Sequence, residues 1–519
     1  MITHVALSPT SSSFPFIGIL IGLPALGALV LALLPRQAKQ AIRWTALGVS
    51  VVSLGVAVAM AICFKAGNDG YQFFTNHSWA TSLGVSWMTG VDGISLFMVV
   101  LTTLLVPLAL LGAGEHRRTK PFTAWLLLLE AACIGSFVSL DLILFFFFFE
   151  LTLIPSYFLI AGWGGPARAA AAVKFFLYTF LGSAMMLVGI LYVAFTHEAQ
   201  THVLTFSLQA LEGTKFSGVA GVLLFCAFTI GFAIKAPIFP FHTWSPDTYA
   251  ESPIGAVIIL SGIMAKLGTY GIIRFDLGIF GHASRVVAPV MLTLAVIGMI
   301  YGAIVACAQR DLKRIIAYSS LAQMGFIVLG IFSFSTIGLT GSVLLMVNHG
   351  IITAAFFLLI GWIVKRRGTS NAGELVGLQG PAPVLAATFT IVMLASIGLP
   401  GLNGFVSEYL VLIGTFITHR WWAVVGVTAV VFAALYLLWA YQRVFHGKAE
   451  GANAATKDLS WSERAVIAPL ILLIVVLGIF PGPILHRIEP SVRHTLTHVS
   501  TNSCAVGSHC ATQSMGGSK

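Results

Sequence analysis

Long apolar segments recur along this chain and are separated by short polar connections. A helix needs about 20 apolar residues to cross a bilayer, so each segment is long enough to span a membrane. The segments lie at roughly 14–34, 42–63, 93–112, 121–139, 141–163, 171–196, 218–240, 253–273, 286–308, 315–333, 338–364, 383–418, 421–442 and 465–485. The pattern predicts an all-α integral membrane protein of about fourteen transmembrane helices.

We expect two of these segments to be broken helices. The segment 383–418 is too long for one straight helix and contains Gly398 and Pro400, so we expect one crossing that is broken near its middle. In the other, Pro237 and Pro240 follow Lys235 and open the helix. A pair of interrupted helices in two halves of a chain is typical of transporters built from inverted repeats.

The spacing of the polar residues agrees with such a repeat. The offset that separates Lys235 from Glu408 also carries Glu150 to Gln323. We therefore predict two inverted five-helix repeats, each with a broken helix.

The predicted organisation has five parts. Residues 1–120 hold the first three transmembrane helices, and 121–273 and 286–445 are the two repeats. A loop and the last transmembrane helix occupy 446–485, and 486–519 form a polar C-terminal tail.

Basic residues concentrate in alternate loops. The richer loops include the groups Arg36/Lys39/Arg43, Arg117/Arg118/Lys120, Arg310/Lys313/Arg314 and Lys365/Arg366/Arg367. The positive-inside rule then places both termini on the outer face of the membrane. The loops 64–90 and 197–217 are expected outside as well.

Composition excludes several classes of protein. Of 519 residues, 58% are hydrophobic and only 9% charged, which a water-soluble globule does not show. The formal charge of +10 forms no basic stripe for nucleic acid, and no glycine-rich phosphate loop is present. The cysteines lack the spacing of cluster or haem ligands. Cys504 and Cys510, beside His509, fit a disulfide, a weak metal site or two unpaired thiols equally well.

Five ionisable side chains lie inside apolar segments, where a charge costs a few kcal/mol and is by default a functional hypothesis. They are Glu130, Glu150, Lys235, Lys266 and Glu408. The alternative is an ion pair that fixes helix packing, or a side chain that reaches the interface. For Glu130, placed near the inner end of its helix, both interpretations stay open. For Glu150 and Lys235, in the middle of strongly apolar runs, we favour function.

Other polar residues lead to further predictions about the helix ends and loops. Lys174, at the inner end of its helix, is either an anchor or part of proton uptake. The loop with His242, Asp247 and Glu251 has no basic residue and is either a proton uptake region or a subunit contact. Asp141 is expected to cap the helix that begins beside it.

Four segments together resemble a known family, the antiporter-like subunits of respiratory complex I, and its M-type subunits in particular. They are FFFFFELTLIPSYFLIAGWGG (145–165), KAPIFPFHTWSPD (235–247), QRDLKRIIAYSSLAQMGF (309–326) and LPGLNGFVSE (399–408). The resemblance covers about residues 90–450.

The resemblance implies a fourteen-helix subunit that moves protons in a bacterial inner membrane. The family's glutamate on the fifth helix, its lysines on the seventh and eighth helices and its acid on the twelfth fall on Glu150, Lys235, Lys266 and Glu408. His349 matches a family histidine. The chain then carries no cofactor, since NADH, FMN, iron-sulfur clusters and quinone belong to other subunits of this NADH dehydrogenase (quinone) translocase. The expected neighbours are L- and N-type subunits and the lipid bilayer, not nucleic acid.

Gln323 departs from the family pattern, and Glu408 distinguishes the subunit types within the family. Gln323 stands where many relatives have a titratable histidine, so a proton relay through that side chain is in doubt. Glu408 favours an M-type subunit, because L- and N-type subunits and cation/proton antiporters usually have lysine there. A subunit of a multisubunit cation/proton antiporter, a membrane-bound hydrogenase subunit and a non-pumping scaffold remain as alternatives.

The electrostatic interaction between Glu150 and Lys235 provides a physical hypothesis for proton pumping. Burial disfavours a charged lysine and a nearby carboxylate favours it. Two charges about 4 Å apart interact by about 4 kcal/mol at an effective dielectric of about 20. Making or breaking a Glu150–Lys235 pair would therefore load or unload a proton, which would pass through Lys266 and His349 to Glu408.

Overall fold

Helices of membrane-spanning length make up most of the chain in the computed structural model, which describes residues 9–114 and 119–504, the last four without their side chains. The first elements are α1 (Phe16–Leu33), α2 (Lys39–Cys63), β1 (Gln72–Ala80), β2 (Val85–Val91), α3 (Gly93–Gly112), α4 (Thr119–Val138), α5 (Leu142–Leu151), α6 (Leu153–Trp163) and α7 (Arg168–Thr201). Next come α8 (Leu208–Leu211), α9 (Gly218–Lys235), α10 (Trp244–Glu251), α11 (Ile254–Ile259), α12 (Ala265–Gly271) and α13 (Leu277–Ile279). The chain continues with α14 (Gly281–Ala308), α15 (Leu312–Ile331), α16 (Thr336–Arg367), α17 (Pro383–Ile397), α18 (Asn403–Thr418), α19 (Arg420–Phe445), α20 (Trp461–Ile479) and α21 (Gly482–Cys504).

The described residues contain 13 helical spans that are long and apolar enough to cross a membrane. The pair α5–α6 counts as one span, and so does the run from α11 to α13. The shorter helices α17 and α18 lie where one broken crossing was expected, and Gly398 separates them in a left-handed conformation, with φ of 82°. The prediction of a multi-pass helical membrane protein is confirmed, while the count of fourteen and the inverted repeats stay predictions.

A small β-hairpin departs from the all-α expectation. Strands β1 and β2 pair antiparallel over Gln72–Val91, which covers most of the segment 64–90 that was expected to be a loop. The strands hold Phe74, Trp79, Trp87 and other residues of high β propensity, but each strand is too short to form a long apolar segment in the sequence.

Aspartates fix the starts of several helices. Asp141 accepts hydrogen bonds from the backbone N–H groups of Ile143 and Leu144 at 2.9 and 3.1 Å, so the predicted cap of α5 is confirmed. Asp92 caps α3 in the same way, and its own backbone N–H donates to Ser95. These caps satisfy backbone groups that lipid would leave unpaired.

Prolines end or break helices at the polar positions. The crossing expected at 218–240 stops at Lys235, because Pro237 has no N–H to continue the ladder. The Ile238 N–H donates to the Ala233 carbonyl at 2.8 Å, and the Trp244 indole N–H donates to the Ile234 carbonyl at 2.8 Å. The carbonyls freed by proline are therefore satisfied inside the protein.

The expected C-terminal tail begins with a helix. Helix α21 runs from Gly482 to Cys504, and Ile488, Val492 and Val499 are fully buried along one side of it. Its Ser491 hydroxyl accepts a hydrogen bond from the Gly93 N–H at 2.9 Å, at the start of α3. The Cys504 side chain, Cys510, and the basic residues Arg117 and Arg118 lie outside the described residues.

Burial separates a central layer from the periphery. The crossing from α11 to α13 and helix α16 are buried along their most apolar windows, whereas α2 exposes most of its surface. The outward-facing side chains of α1, α2 and α7 are mainly large hydrophobic residues, as expected for lipid contact. The central crossings carry Lys266 and His349, so these side chains lie deep inside the protein.

Candidate functional site

Lys235 ends helix α9 with its ammonium inside the protein. The side chain is 1% exposed, and Nζ donates to Thr152 Oγ1 at 2.7 Å and to the Phe149 carbonyl at 3.3 Å. The ammonium also lies 4.4 Å from the centre of the Phe149 ring. Two neutral acceptors and an aromatic face therefore hold this buried cation.

The break between α5 and α6 supplies these acceptors. Helix α5 ends at Leu151, and Pro155, which lacks an N–H, follows just inside α6. The Thr152 hydroxyl, at the junction, also donates to the Phe149 carbonyl at 2.7 Å. The local sequence thus turns a hydroxyl and a carbonyl towards Lys235, in a region where most backbone groups are already paired.

Glu150 lies close to Lys235 but does not contact it. The two groups interact electrostatically, and Ser183 of α7 lies beside the carboxylate. The ion pairs of the described residues, taken to 4.0 Å, do not include Glu150 with Lys235. In this arrangement the lysine is bound to neutral oxygens, so the hypothesised direct pair is not formed.

Lys266 and His349 are in direct contact. Lys266 Nζ lies 2.6 Å from His349 Nδ1 and donates to the Ser261 carbonyl at 2.6 Å. A π-helical turn, Leu260–Met264, precedes Lys266 and displaces its backbone from a regular α-helical path. When the lysine is charged it donates to Nδ1, and the histidine is then neutral with its proton on Nε2.

Glu408 and Gln323 form the next polar contact. The Gln323 amide donates to Glu408 Oε1 at 2.8 Å, and both side chains are 6% exposed. Gly398 lies against the same carboxylate: a Cβ at that position would sit 2.7 Å from Glu408 Oε2. The break between α17 and α18 therefore leaves room for the acid, and a larger residue at position 398 would displace it.

A second polar group lies at the end of the bundle where α10 begins. Asp247 accepts from Lys174 at 2.8 Å and pairs with Arg314 at 3.0 Å. Burial raises the pKa of Asp247, but the hydrogen bonds and charges of Lys174 and Arg314 outweigh it and lower that pKa below 3.8. The loop that contains Asp247 has no basic residue of its own, and Lys174 and Arg314 supply its basic partners from other helices.

Sequence reasoning missed three participants. Thr152 was not singled out, although a polar residue between Glu150 and Pro155 in an apolar run was a usable signal. Asp92 and Arg274 form a buried ion pair at 2.7 Å, with side chains 3% and 7% exposed. They are far apart in sequence, so only the assembled fold pairs them.

The described residues include no group of three or more histidine, cysteine, aspartate or glutamate side chains placed to hold a metal ion. The site consists of single lysines, acids and a histidine, each close to a hydroxyl, amide or carbonyl. Such groups can hold and pass protons.

Comparison with known proteins gives a consistent picture. The family described as "NADH:quinone oxidoreductase/Mrp antiporter, TM" matches residues 139–433. The NADH-quinone oxidoreductase subunit M of Mycobacterium tuberculosis is 40% identical, covering 94% of this chain and 95% of that protein. Subunit M of Rickettsia prowazekii is 38% identical, covering 93% and 99%.

Solved structures agree on the fold. A chain of respiratory complex I from Thermus thermophilus superposes with a TM-score of 0.85 at 30% identity, covering 93% of this chain and 99% of that one. A chain of the Mrp complex from Dietzia has a TM-score of 0.80 at 24% identity, covering 95% and 99%, which is a likeness of fold alone.

Proposed function

Because this chain belongs to the NADH:quinone oxidoreductase/Mrp antiporter membrane family, we propose that it is the proton-translocating M-type subunit of an NADH-quinone oxidoreductase (complex I). Its likeness to M subunits extends over nearly the whole length of both chains, which supports the M type over a more distant family member. The chain is a multi-pass membrane protein that works among other complex I subunits.

We also propose the membrane in which the subunit lies, its partners and the place of the cofactors. The subunit lies in a bacterial inner membrane with both termini outside, and its partners are other complex I subunits, especially those of L and N type. It holds no redox centre, and NADH, FMN, iron-sulfur clusters and quinone act in other subunits. Quinone reduction there drives proton movement here.

Five side chains carry the proton in this proposal: Glu150, Lys235, Lys266, His349 and Glu408. The 2.6 Å contact between Lys266 and His349 is the observation that supports it most. It joins a lysine of the first predicted repeat to a histidine of the second, at the centre of the bundle. A proton that leaves Lys266 has an acceptor already in hydrogen-bond contact.

Three further residues act around this chain of groups. Gln323 does not titrate; its amide orients Glu408 and stabilises the carboxylate form by hydrogen bonding. Lys174 and Asp247 lie at the end of the bundle proposed to face inward, and there they form the first polar contact on the uptake side.

The Lys235→Ala variant tests the proposal. It removes the buried ammonium, so NADH-driven proton pumping in inverted membrane vesicles should be lost although the complex assembles. Lys215→Ala is the matched control, because Lys215 is an exposed lysine in the segment before α9. Pumping by K235A at the normal number of protons per electron would refute the role of Lys235.

The same variant distinguishes a pump from a scaffold. In a scaffold, K235A would lower only the stability of the complex. Mass spectrometry of the complex purified through this chain separates the remaining alternatives. Flavin- and NADH-binding partners support complex I, and nickel-iron partners would identify a hydrogenase.

A further inference from the structure

Helix α4 buries a carboxyl group that the pathway above does not use. Glu130 lies in the middle of α4, not near its end, and its side chain is 0% exposed. Neither carboxyl oxygen has a hydrogen-bond partner among the described residues. We propose that Glu130 is a further proton-carrying residue of this subunit, placed between Lys235 and Lys266; the inference rests on the proposed function.

Burial without a partner fixes the chemical form of Glu130. An ionised carboxylate that is removed from water and unpaired is strongly unfavourable, so the group is a neutral carboxylic acid. A packing role does not account for it, since an apolar side chain of similar size fills such a site at lower free energy. An unpaired ionisable group inside a membrane protein is therefore a functional hypothesis with a physical basis.

Helix packing places Glu130 beside the helix that carries Lys266. The Tyr270 hydroxyl of α12 donates to the Phe137 carbonyl of α4 at 2.8 Å. Glu130 lies two turns before Phe137 on the same face of α4, and Lys266 lies one turn before Tyr270 on α12. The spans alternate in direction, so α4 and α12 run parallel. At about 1.5 Å per residue, Glu130 and Lys266 then differ by about one turn in height.

A shared neighbour, Cys133, links Glu130 to Lys235. The Cys133 thiol, one turn after Glu130 on α4, interacts electrostatically with both the Glu130 carboxyl and the Lys235 ammonium. Helix α4 also packs against α6, where the Ser156 hydroxyl donates to the Thr152 carbonyl at 2.7 Å and contacts Met264 Sδ at 3.4 Å. Hydroxyl groups thus lie between the helices that carry the two lysines.

A neutral carboxylic acid can pass a proton without becoming charged. An N–H bond of the Lys235 ammonium breaks as the Glu130 carbonyl oxygen takes that proton, directly or through water. The acid's original O–H bond breaks, and its proton forms a new N–H bond on the neutral Lys266 amine. One proton moves, Glu130 ends as it began, and no lone carboxylate has to be buried.

The Glu130→Gln and Glu130→Leu variants test this step in the assembled complex. Both side chains fit the site, but neither can accept and release a proton as the acid does. We expect protons pumped per electron to fall to the K235A value, with Glu130→Asp retaining more than half of the wild-type ratio. Ser136→Ala is the control on the same helix, because among the described residues its hydroxyl bonds only to the Ala132 carbonyl one turn away; it should pump normally.

Infrared difference spectroscopy distinguishes a proton-carrying Glu130 from a purely structural one. The C=O band of the protonated Glu130 carboxyl should shift between resting and NADH-reduced complex in wild type and S136A, because its hydrogen bonds change as the proton passes; a structural acid would give no such difference band, and E130Q and E130L should lack it. Normal pumping by E130Q and E130L would overturn the proposal, and so would loss of assembly in both, which would make Glu130 structural. If K235A itself pumps normally, the proposed function fails; if K235A is inactive and E130Q normal, this inference alone fails.

Discussion

Thr152→Val is the sharpest test of how the fold holds a proton on Lys235. Valine has the shape of threonine but cannot accept a hydrogen bond. The substitution removes the acceptor that lies 2.7 Å from Lys235 Nζ and leaves the more distant Phe149 carbonyl, at 3.3 Å. Packing changes little, so the effect reports on the hydrogen bond.

The expected loss of proton affinity at Lys235 follows from the charge of the hydrogen-bond donor. A hydrogen bond to a charged group contributes about 1.5–3 kcal/mol, and 1.4 kcal/mol is a factor of ten in an equilibrium constant. Lys235 should therefore hold its proton about 10- to 100-fold less tightly in T152V. The charged lysine is then lost at lower pH, so the alkaline limb of the pumping profile should move by about one to two pH units towards acid.

The assay compares proton pumping with NADH oxidation in inverted vesicles between pH 6 and 9. Thr152→Ser keeps the hydroxyl and should keep the wild-type profile. Electron transfer measured with an uncoupler should be similar in all three proteins. An unchanged pH profile in T152V would show that Thr152 does not set the proton affinity of Lys235.

Three further predictions concern the polar contacts around the site. Arg274→Met leaves Asp92 buried and unpaired, so it should lower the free energy of unfolding by about 3–5 kcal/mol; thermal unfolding of the purified complex measures this, and adding Asp92→Asn should restore part of it. Gln323→Leu removes the amide that stabilises the Glu408 carboxylate, so release should slow about tenfold; vesicle pumping that matches wild type would contradict this, and Gln323→His should pump well. Asp247→Asn breaks two half-exposed pairs and should lower stability by less than about 2 kcal/mol at neutral pH. Because the pKa of Asp247 is lowered in the folded protein, that stabilisation exists above the ordinary value of 3.8 and is lost as pH falls through the lowered pKa, so wild type and D247N should converge there.

Local signals in the sequence predicted most of the helices. Apolar runs of sufficient length mark each span, and proline marks the end of α9 after Lys235. The Asp141 cap was also correct, because a capping aspartate acts on backbone groups two and three residues away. Predictions of this kind depend only on residues that are close in sequence.

The hairpin and the final helix show where such signals weaken. Strands β1 and β2 are stabilised by pairing with each other, not by a long apolar run. Helix α21 alternates polar and apolar residues and is amphipathic, so it resembled a polar tail until its buried side was placed against α3 and α16.

By itself, the sequence determined which chemical groups the membrane interior contains. An ionisable residue in a long apolar run must be buried somewhere at a cost in free energy, so the sequence singled out Lys235, Lys266 and Glu408 as functional hypotheses. Their partners were decided by tertiary structure alone. His349 against Lys266, Gln323 against Glu408 and Thr152 against Lys235 are each separated by more than 80 residues along the chain. A hydrogen bond depends on distance and angle to within a few tenths of an ångström, and helix packing sets that geometry, while residue order along one helix does not.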